Sequence, residues 1–161
     1  MKSLCVVVLS IASFAFADAK TNLLKPTNEA DSWRFEQFEG GKGSLKADGD
    51  AIVFTITDVD GTNWHVQALV TDLDLTAGKE YVLKFQIKAS ESRNVTVSAM
   101  VDQDDWHTIG LSETISVGQE FQKQEFVFKA ENVAANKNRI SLTFGDAKGT
   151  VAVKDMTLTA K

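Results

Sequence analysis

Both histidines of the chain directly follow a tryptophan, at Trp64-His65 and at Trp106-His107. An indole offers a broad apolar face, and the imidazole beside it can donate and accept hydrogen bonds. The pair therefore suits a ligand that presents ring faces and hydroxyl groups together. Trp106 comes after Asp102-Gln103-Asp104-Asp105, a run too polar for a core. Two readings stand for it, the wall of a binding groove or a residue packed at a rim. Trp64 shares the parity of Val66 and Ala68, which places it at the end of a core row, with a ligand platform as the other reading. If Val66 and Ala68 face inward, His65 and Gln67 point out of the same strand, where imidazole and amide could bond a hydroxyl-rich ligand. The bland alternative is two solvated residues on an outer face.

Reactive constellations are missing from the sequence. It has no Gly-x-Ser-x-Gly, no glycine-rich phosphate loop before a helix and no His-Glu-x-x-His. Neither His-x-His nor His-x3-His occurs, so spacing nominates no two-histidine metal site. Carboxylates are plentiful, and a glycosidase needs only two of them flanking a cleft, a role open to Glu36 or Asp102. Most of the 22 acidic residues are expected on a solvated face.

The elements that must position these residues are strands. Period-two alternation dominates, and outside the N-terminal stretch no long segment carries an i, i+3, i+4 apolar stripe. Tyr81, Leu83, Phe85, Ile87 and Ala89 alternate with Val82, Lys84, Gln86 and Lys88, the pattern of a strand with one face buried. Val95, Val97, Ala99 and Val101 repeat it, as do Ile52-Phe54-Ile56, Phe126-Phe128 and Ile140-Leu142-Phe144. Turn formers such as Asp48-Gly49-Asp50 and Ala77-Gly78-Lys79 separate the runs. In the last segment the inward set changes from Val151 and Val153 to Met156 and Leu158, which predicts a bulge near Lys154-Asp155 that re-aims Asp155. Roughly ten short strands without helical connections predict an all-β, two-sheet antiparallel β-sandwich, a jelly roll. Trp33 and Tyr81 are expected in its core.

Length and charge bound the rest. The chain has 161 residues, 17 Lys and Arg against 22 Asp and Glu, and a net charge of −5. Residues 1–17 read as a secretory signal peptide: Lys2 is the positive start, Leu4 to Phe16 the apolar stretch, and Ala15-Phe16-Ala17 the small-x-small cleavage site. Its removal leaves residues 18–161 as one domain of 144 residues and takes away Cys5, the one cysteine, so no disulfide is expected. The acidic balance argues against nucleic acid and strongly anionic glycans, and no further stretch approaches a membrane span. A secreted or periplasmic location follows.

Five segments together resemble the carbohydrate-binding modules of families four, nine and twenty-two, over essentially the whole of residues 22–161. They are Gly61-Thr62-Asn63-Trp64-His65-Val66-Gln67, the strand Leu75 to Ala89 with its Gly78-Lys79-Glu80-Tyr81, Phe126-Val127-Phe128, Asn138 to Gly145, and Gly149 to Leu158. The resemblance implies a galactose-binding-like jelly roll that holds β-glucan, xylan or a related chain along a concave sheet. For such a ligand the residues themselves nominate Trp106 and, second to it, Trp64 as platforms for sugar faces, with Arg34, His65, Gln67, Asp102, Gln103 and His107 as hydrogen-bonding groups. Members of the family often hold a structural calcium with groups from the two ends, which points to Asn28, Glu29 and Asp155. The family's usual opening appears here as Lys25-Pro26-Thr27-Asn28-Glu29, and its closing pair of acids is reduced to Lys154-Asp155. No other cofactor is implied. The leading expectation is a non-catalytic protein whose partner is a polysaccharide or oligosaccharide. The alternatives are a small polysaccharide-degrading enzyme, hydrolase or lyase, on the same fold, and an adhesion module with a protein partner.

Overall fold

A computed structural model describes residues 20–161; the segment read as a signal peptide lies outside the described residues. Ten strands follow in order: β1 Arg34–Gln37, β2 Lys42–Asp48, β3 Ala51–Asp58, β4 Val66–Leu73, β5 Glu80–Ala89, β6 Arg93–Val101, β7 Thr108–Val117, β8 Gln122–Lys129, β9 Asn138–Thr143 and β10 Gly149–Ala160. They form two five-stranded sheets, β1-β4-β9-β6-β7 and β2-β3-β10-β5-β8, in which every pairing is antiparallel. Among the described residues no helix is long and apolar enough to cross a membrane.

The alternation in the sequence becomes the core. The inward rows Tyr81-Leu83-Phe85-Ile87-Ala89 and Val95-Val97-Ala99-Val101 are buried, and Ile140, Leu142 and Phe144 meet them from the centre of the first sheet. Trp33 lies in the same core, its ring edge-on to Phe54 at 5.2 Å and its indole N–H donated to the Thr27 carbonyl at 2.9 Å. The buried Tyr81 hydroxyl accepts from the Thr76 backbone at 2.9 Å, so both polar tips are satisfied. Asp48-Gly49-Asp50 makes the β2–β3 turn, where Gly49 has φ +62°, a left-handed conformation that glycine enters without penalty.

Strand β10 carries the expected irregularity. Its pairing with β5 shifts between Lys154 and Thr157, Asp155 takes φ +53°, and Val153 and Met156 are buried on either side of the shift. One extra residue flips the inward parity and turns Asp155 outward, where its carboxylate accepts from Gln86 Nε2 at 2.6 Å.

The outer face of the first sheet is where polar residues gather. Strand pairing aligns Glu36, Gln67, Thr143 and Thr96 in one row across β1, β4, β9 and β6. The next row is Leu69, Ser141 and Ser98, and the one beyond pairs Arg139 with Met100. At about 3.3 Å per residue, the outer rows stand roughly 13 Å apart along the strands.

Candidate functional site

Strand β9 sets the floor. Because it is the central strand of its sheet, Ile140 and Leu142 enter the core while Arg139, Ser141 and Thr143 face outward. These polar side chains are nonetheless buried, since the sheet and its bordering loops rise around them. The depression has a volume of about 690 Å³, within the usual range for ligand sites. It runs from Phe38, Asn63 and Trp64 near β1 and β4 to Met100 and Trp106 at the end of β6, over Gln67, Thr96, Ser98 and the three β9 side chains.

Both nominated tryptophans border it. Trp64 is 50% exposed and Trp106 is 47% exposed. The core position that parity assigned to Trp64 is corrected. A 3₁₀ turn at Asn63–His65 interrupts the two-residue period just before β4 and turns the indole out onto the surface. There it packs against Phe38 at 5.6 Å and edge-on against His65 at 4.2 Å. Trp106 stands at the opposite end, with the Arg139 guanidinium 4.9 Å from its ring centroid, a cation–π contact.

His65 does not line the depression, contrary to its outward assignment beside Gln67. Its Nδ1 lies 2.6 Å from Asp60 Oδ2, and Asp60 also accepts the backbone N–H groups of Gly40 and Thr62. Those bonds, that from His65 first, hold the Asp60 carboxyl below its ordinary range. The imidazole therefore fixes the turn that displays Trp64. Gln67 behaves as expected of an outward residue: it donates to Glu36 Oε2 at 3.1 Å and accepts from Ser141 Oγ at 3.3 Å.

Arg34 and Asp102 are 68 residues apart in sequence and bonded two-fold, Nη1 to Oδ2 at 2.8 Å and Nη2 to Oδ1 at 2.5 Å. Arg34 Nε also meets Glu36 Oε1 at 2.9 Å, and Arg139 Nη1 reaches Asp102 Oδ1 at 3.3 Å. The Arg34 bond is the main reason the Asp102 carboxyl sits below the usual carboxylate range, against the opposing effect of burial. Two guanidinium groups and two carboxylates thus close a neutral network around the floor. Leu69 faces outward by register opposite Arg34, yet it is 0% exposed.

Gln103 is exposed and contributes its backbone: its carbonyl accepts from the Trp106 N–H at 3.1 Å. His107 lies beside the loop, bonded to Asp105 and to the Asn132 carbonyl. Thr27 Oγ1 reaches the Met156 carbonyl at 3.4 Å, which brings the Asn28-Glu29 turn toward the bulge that holds Asp155. Among the described residues no group of three or more His, Cys, Asp or Glu side chains gathers as a metal cluster. A calcium ion there would have to add Asn28 and backbone carbonyls to two carboxylates to reach six or more oxygen ligands.

The residues that the sequence reading missed are Phe38, Asn63, Met100, Arg139 and the small hydroxyls Thr96, Ser98, Ser141 and Thr143. A signal for some of them existed. Arg139, Ser141 and Thr143 alternate with Ile140, Leu142 and Phe144, the pattern of a strand with one face on the core and the other open to solvent or ligand. Two polar atoms of this floor, Arg139 Nε and Thr143 Oγ1, are buried without a protein partner. Such atoms call for a ligand or water.

A concave sheet face with aromatic edges and a hydroxyl-rich floor fits a ring-and-hydroxyl ligand, and the chain belongs to the carbohydrate binding domain family CBM_4_9, whose model matches residues 17–149. No curated protein matches the sequence. The fold is shared with a solved CBM4 at TM-score 0.73 and 21% identity, over 86% of this chain and 93% of that one. It is shared too with the N-terminal cellulose-binding domain of Cellulomonas fimi β-1,4-glucanase C, at TM-score 0.69 and 15% identity over 88% and 97%. The CBM22-1 xylan-binding domain of Paenibacillus barcinonensis Xyn10C matches at TM-score 0.60 and 15% identity over 90% and 97%. The jelly roll expected from the strand pattern is therefore the fold of these modules.

Proposed function

We infer that the protein is an exported, non-catalytic binder of neutral polysaccharide chains of the β-glucan or xylan type, and that the chain lies across the outer face of the first sheet. The observation that carries this reading is the pairing of two half-exposed indoles, Trp64 and Trp106, at opposite ends of one depression with a charge-balanced floor. Sugar C–H faces stack on indole, and the floor supplies amide, hydroxyl and guanidinium groups for sugar hydroxyls. A neutral network gives no reason to prefer anionic chains. The names of the similar domains, cellulose-binding and xylan-binding, support the same class of ligand.

The state of Asp102 argues against one catalytic role: a carboxylate clamped by two arginines stays ionised and has no proton to give a leaving group, so it is unsuited to be the general acid of a hydrolase. Affinity electrophoresis and pull-down against β-glucans, xylan, mannan and cellulose test the binding, with a reducing-end assay on the same samples, with and without divalent metal. Retention without new reducing ends is expected. No retention on any polysaccharide rejects the reading, and new reducing ends replace it with the enzyme alternative. Export rests on residues 1–17, and a mature N-terminus at Asp18 checks it. A structural calcium at Asn28, Glu29 and Asp155 rests on the family resemblance and the approach of the two ends. Calcium should then raise the melting temperature of the wild type over that in EDTA, and should not do so for Asp155→Asn.

A further inference from the structure

The loop that presents Trp106 is held in an uncommon conformation. Two consecutive non-glycine residues have positive φ, Asp105 at +80° and Trp106 at +48°. Side chains of this kind rarely enter the left-handed region, and they persist there only where surrounding contacts over-determine the backbone. The backbone bonds of the loop are those of the Trp106 N–H to the Gln103 carbonyl, the Val101 N–H to the His107 carbonyl and the Asp102 N–H to the Lys137 carbonyl; the side-chain contacts at its tip are the Arg139 guanidinium on the Trp106 ring and the bonds of the His107 imidazole.

The bonds of His107 have a particular chemistry. Nδ1 lies 3.0 and 3.1 Å from the two carboxylate oxygens of Asp105, and Nε2 lies 2.8 Å from the backbone carbonyl of Asn132 in the β8–β9 loop. A carboxylate and a carbonyl can only accept. A neutral imidazole carries one N–H, so whichever tautomer it adopts, one ring nitrogen would face an acceptor with a lone pair. Only the imidazolium, with a proton on each nitrogen, satisfies both.

We propose that His107 is a positioning residue for the Trp106 platform and that it acts in its doubly protonated form, tying the β6–β7 loop to the β8–β9 loop through Asp105 and Asn132. The charged residues around it fit that role. Its own loop supplies Asp104 and Asp105, and Asp102 is already engaged by Arg34 and Arg139. The facing segment contributes Glu131 and Lys137, and the Lys137 carbonyl accepts from the Asp102 N–H at 2.7 Å, which binds the two loops a second time. The Asn132 carbonyl first, and then Asp105, raise the His107 pKa above the ordinary histidine value, against the opposing effect of desolvation. The clamp is therefore complete at pH below that of an unperturbed histidine and is lost as pH rises through the raised pKa.

That the clamped platform grips a glycan rests on the function proposed above; that the loop follows His107 does not. The first measurement therefore uses ligand-free wild-type protein. Imidazole and indole resonances are followed by NMR from pH 5 to 9, with Trp106→Phe and His107→Gln assigning the signals. The Trp106 indole should titrate with the His107 pKa, and that pKa should lie above that of a histidine in an unstructured peptide. The second measurement is binding to the soluble β-glucan or xylan best retained in the panel. Wild-type affinity should fall about tenfold between pH 5.5 and 8.5, the scale set by losing one charge-assisted bond. His107→Gln should bind at the weaker level throughout, with a flat pH profile and an unchanged melting temperature at pH 8.5. An unshifted His107, a Trp106 signal indifferent to it, or a pH profile that survives in His107→Gln overturns the inference. If Trp106 follows His107 and no glycan binds at any pH, the positioning role stands and the proposed function fails.

Discussion

Removing the two exposed indoles should separate binding from folding. A fully buried aromatic covers about 150–250 Å², so a tryptophan half exposed has roughly 100 Å² left to lay against a sugar. At about 25 cal/mol per Å², that contact contributes about 2.5 kcal/mol, or roughly 70-fold in affinity. Trp64→Ala and Trp106→Ala should each weaken glycan retention by that order. Neither ring belongs to the core: Trp64 leans on Phe38 and His65, and Trp106 on Arg139. Truncation should thus cost about 1 kcal/mol of stability, a shift of roughly 4 °C in melting temperature for a domain of this size. Trp33→Ala is the control, since that ring is buried against Phe54 with its N–H bonded to Thr27. Its loss should cost about 3–5 kcal/mol and more than 10 °C. Thermal melts and binding isotherms of the three variants provide the check. If Trp64→Ala melts as early as Trp33→Ala, the ring supports the core after all. If either surface variant keeps full retention, the ligand does not touch that end of the depression.

Other expected outcomes follow from the supports of the site. Gly145 lies against the turn that carries Trp64, its N–H bonded to the Asn63 carbonyl at 2.7 Å, and a Cβ there would stand 2.6 Å from the same oxygen. Gly145→Ala should therefore weaken binding and lower the melting temperature together, whereas Gly49→Ala, with open space around it, should only pay the cost of a positive φ. Asp102→Asn leaves the buried Arg139 charge without its anion and should cost about 2–3 kcal/mol near neutral pH, read by denaturant unfolding. Because the folded-state pKa of Asp102 is lowered, its contribution is present above the ordinary carboxylate range and is lost as pH falls through the depressed value. The gap between wild type and Asp102→Asn should accordingly close in acid; a gap that stays constant to pH 2 would refute the network. Gln67→Leu should reduce glycan affinity several-fold, since it removes an amide that links Glu36 to Ser141 on the floor.

Local pattern settled the fold. Side chains alternate across a strand by backbone geometry alone, so the inward rows of β5, β6, β9 and β10, the Asp48-Gly49-Asp50 turn and the flip at Asp155 could be read residue by residue. Burial of Trp33 and Tyr81 followed from the same parity, and the family resemblance rested on those core-building segments. The site is different because its parts come from distant segments. Whether Asp102 meets Arg34, 68 positions away, depends on which strands are neighbours, and the order β1-β4-β9-β6-β7 is written in no local period. The same pairing set Arg139 under Trp106 and aligned Gln67 with Thr143 and Thr96. Parity failed at Trp64 for a related reason. A turn stabilised by Asp60, Gly40 and Gly145 overrides the strand period there, and those partners reach the turn only through the tertiary fold. Sequence thus determined which side chains a strand turns outward, and packing between strands decided which of them share one surface.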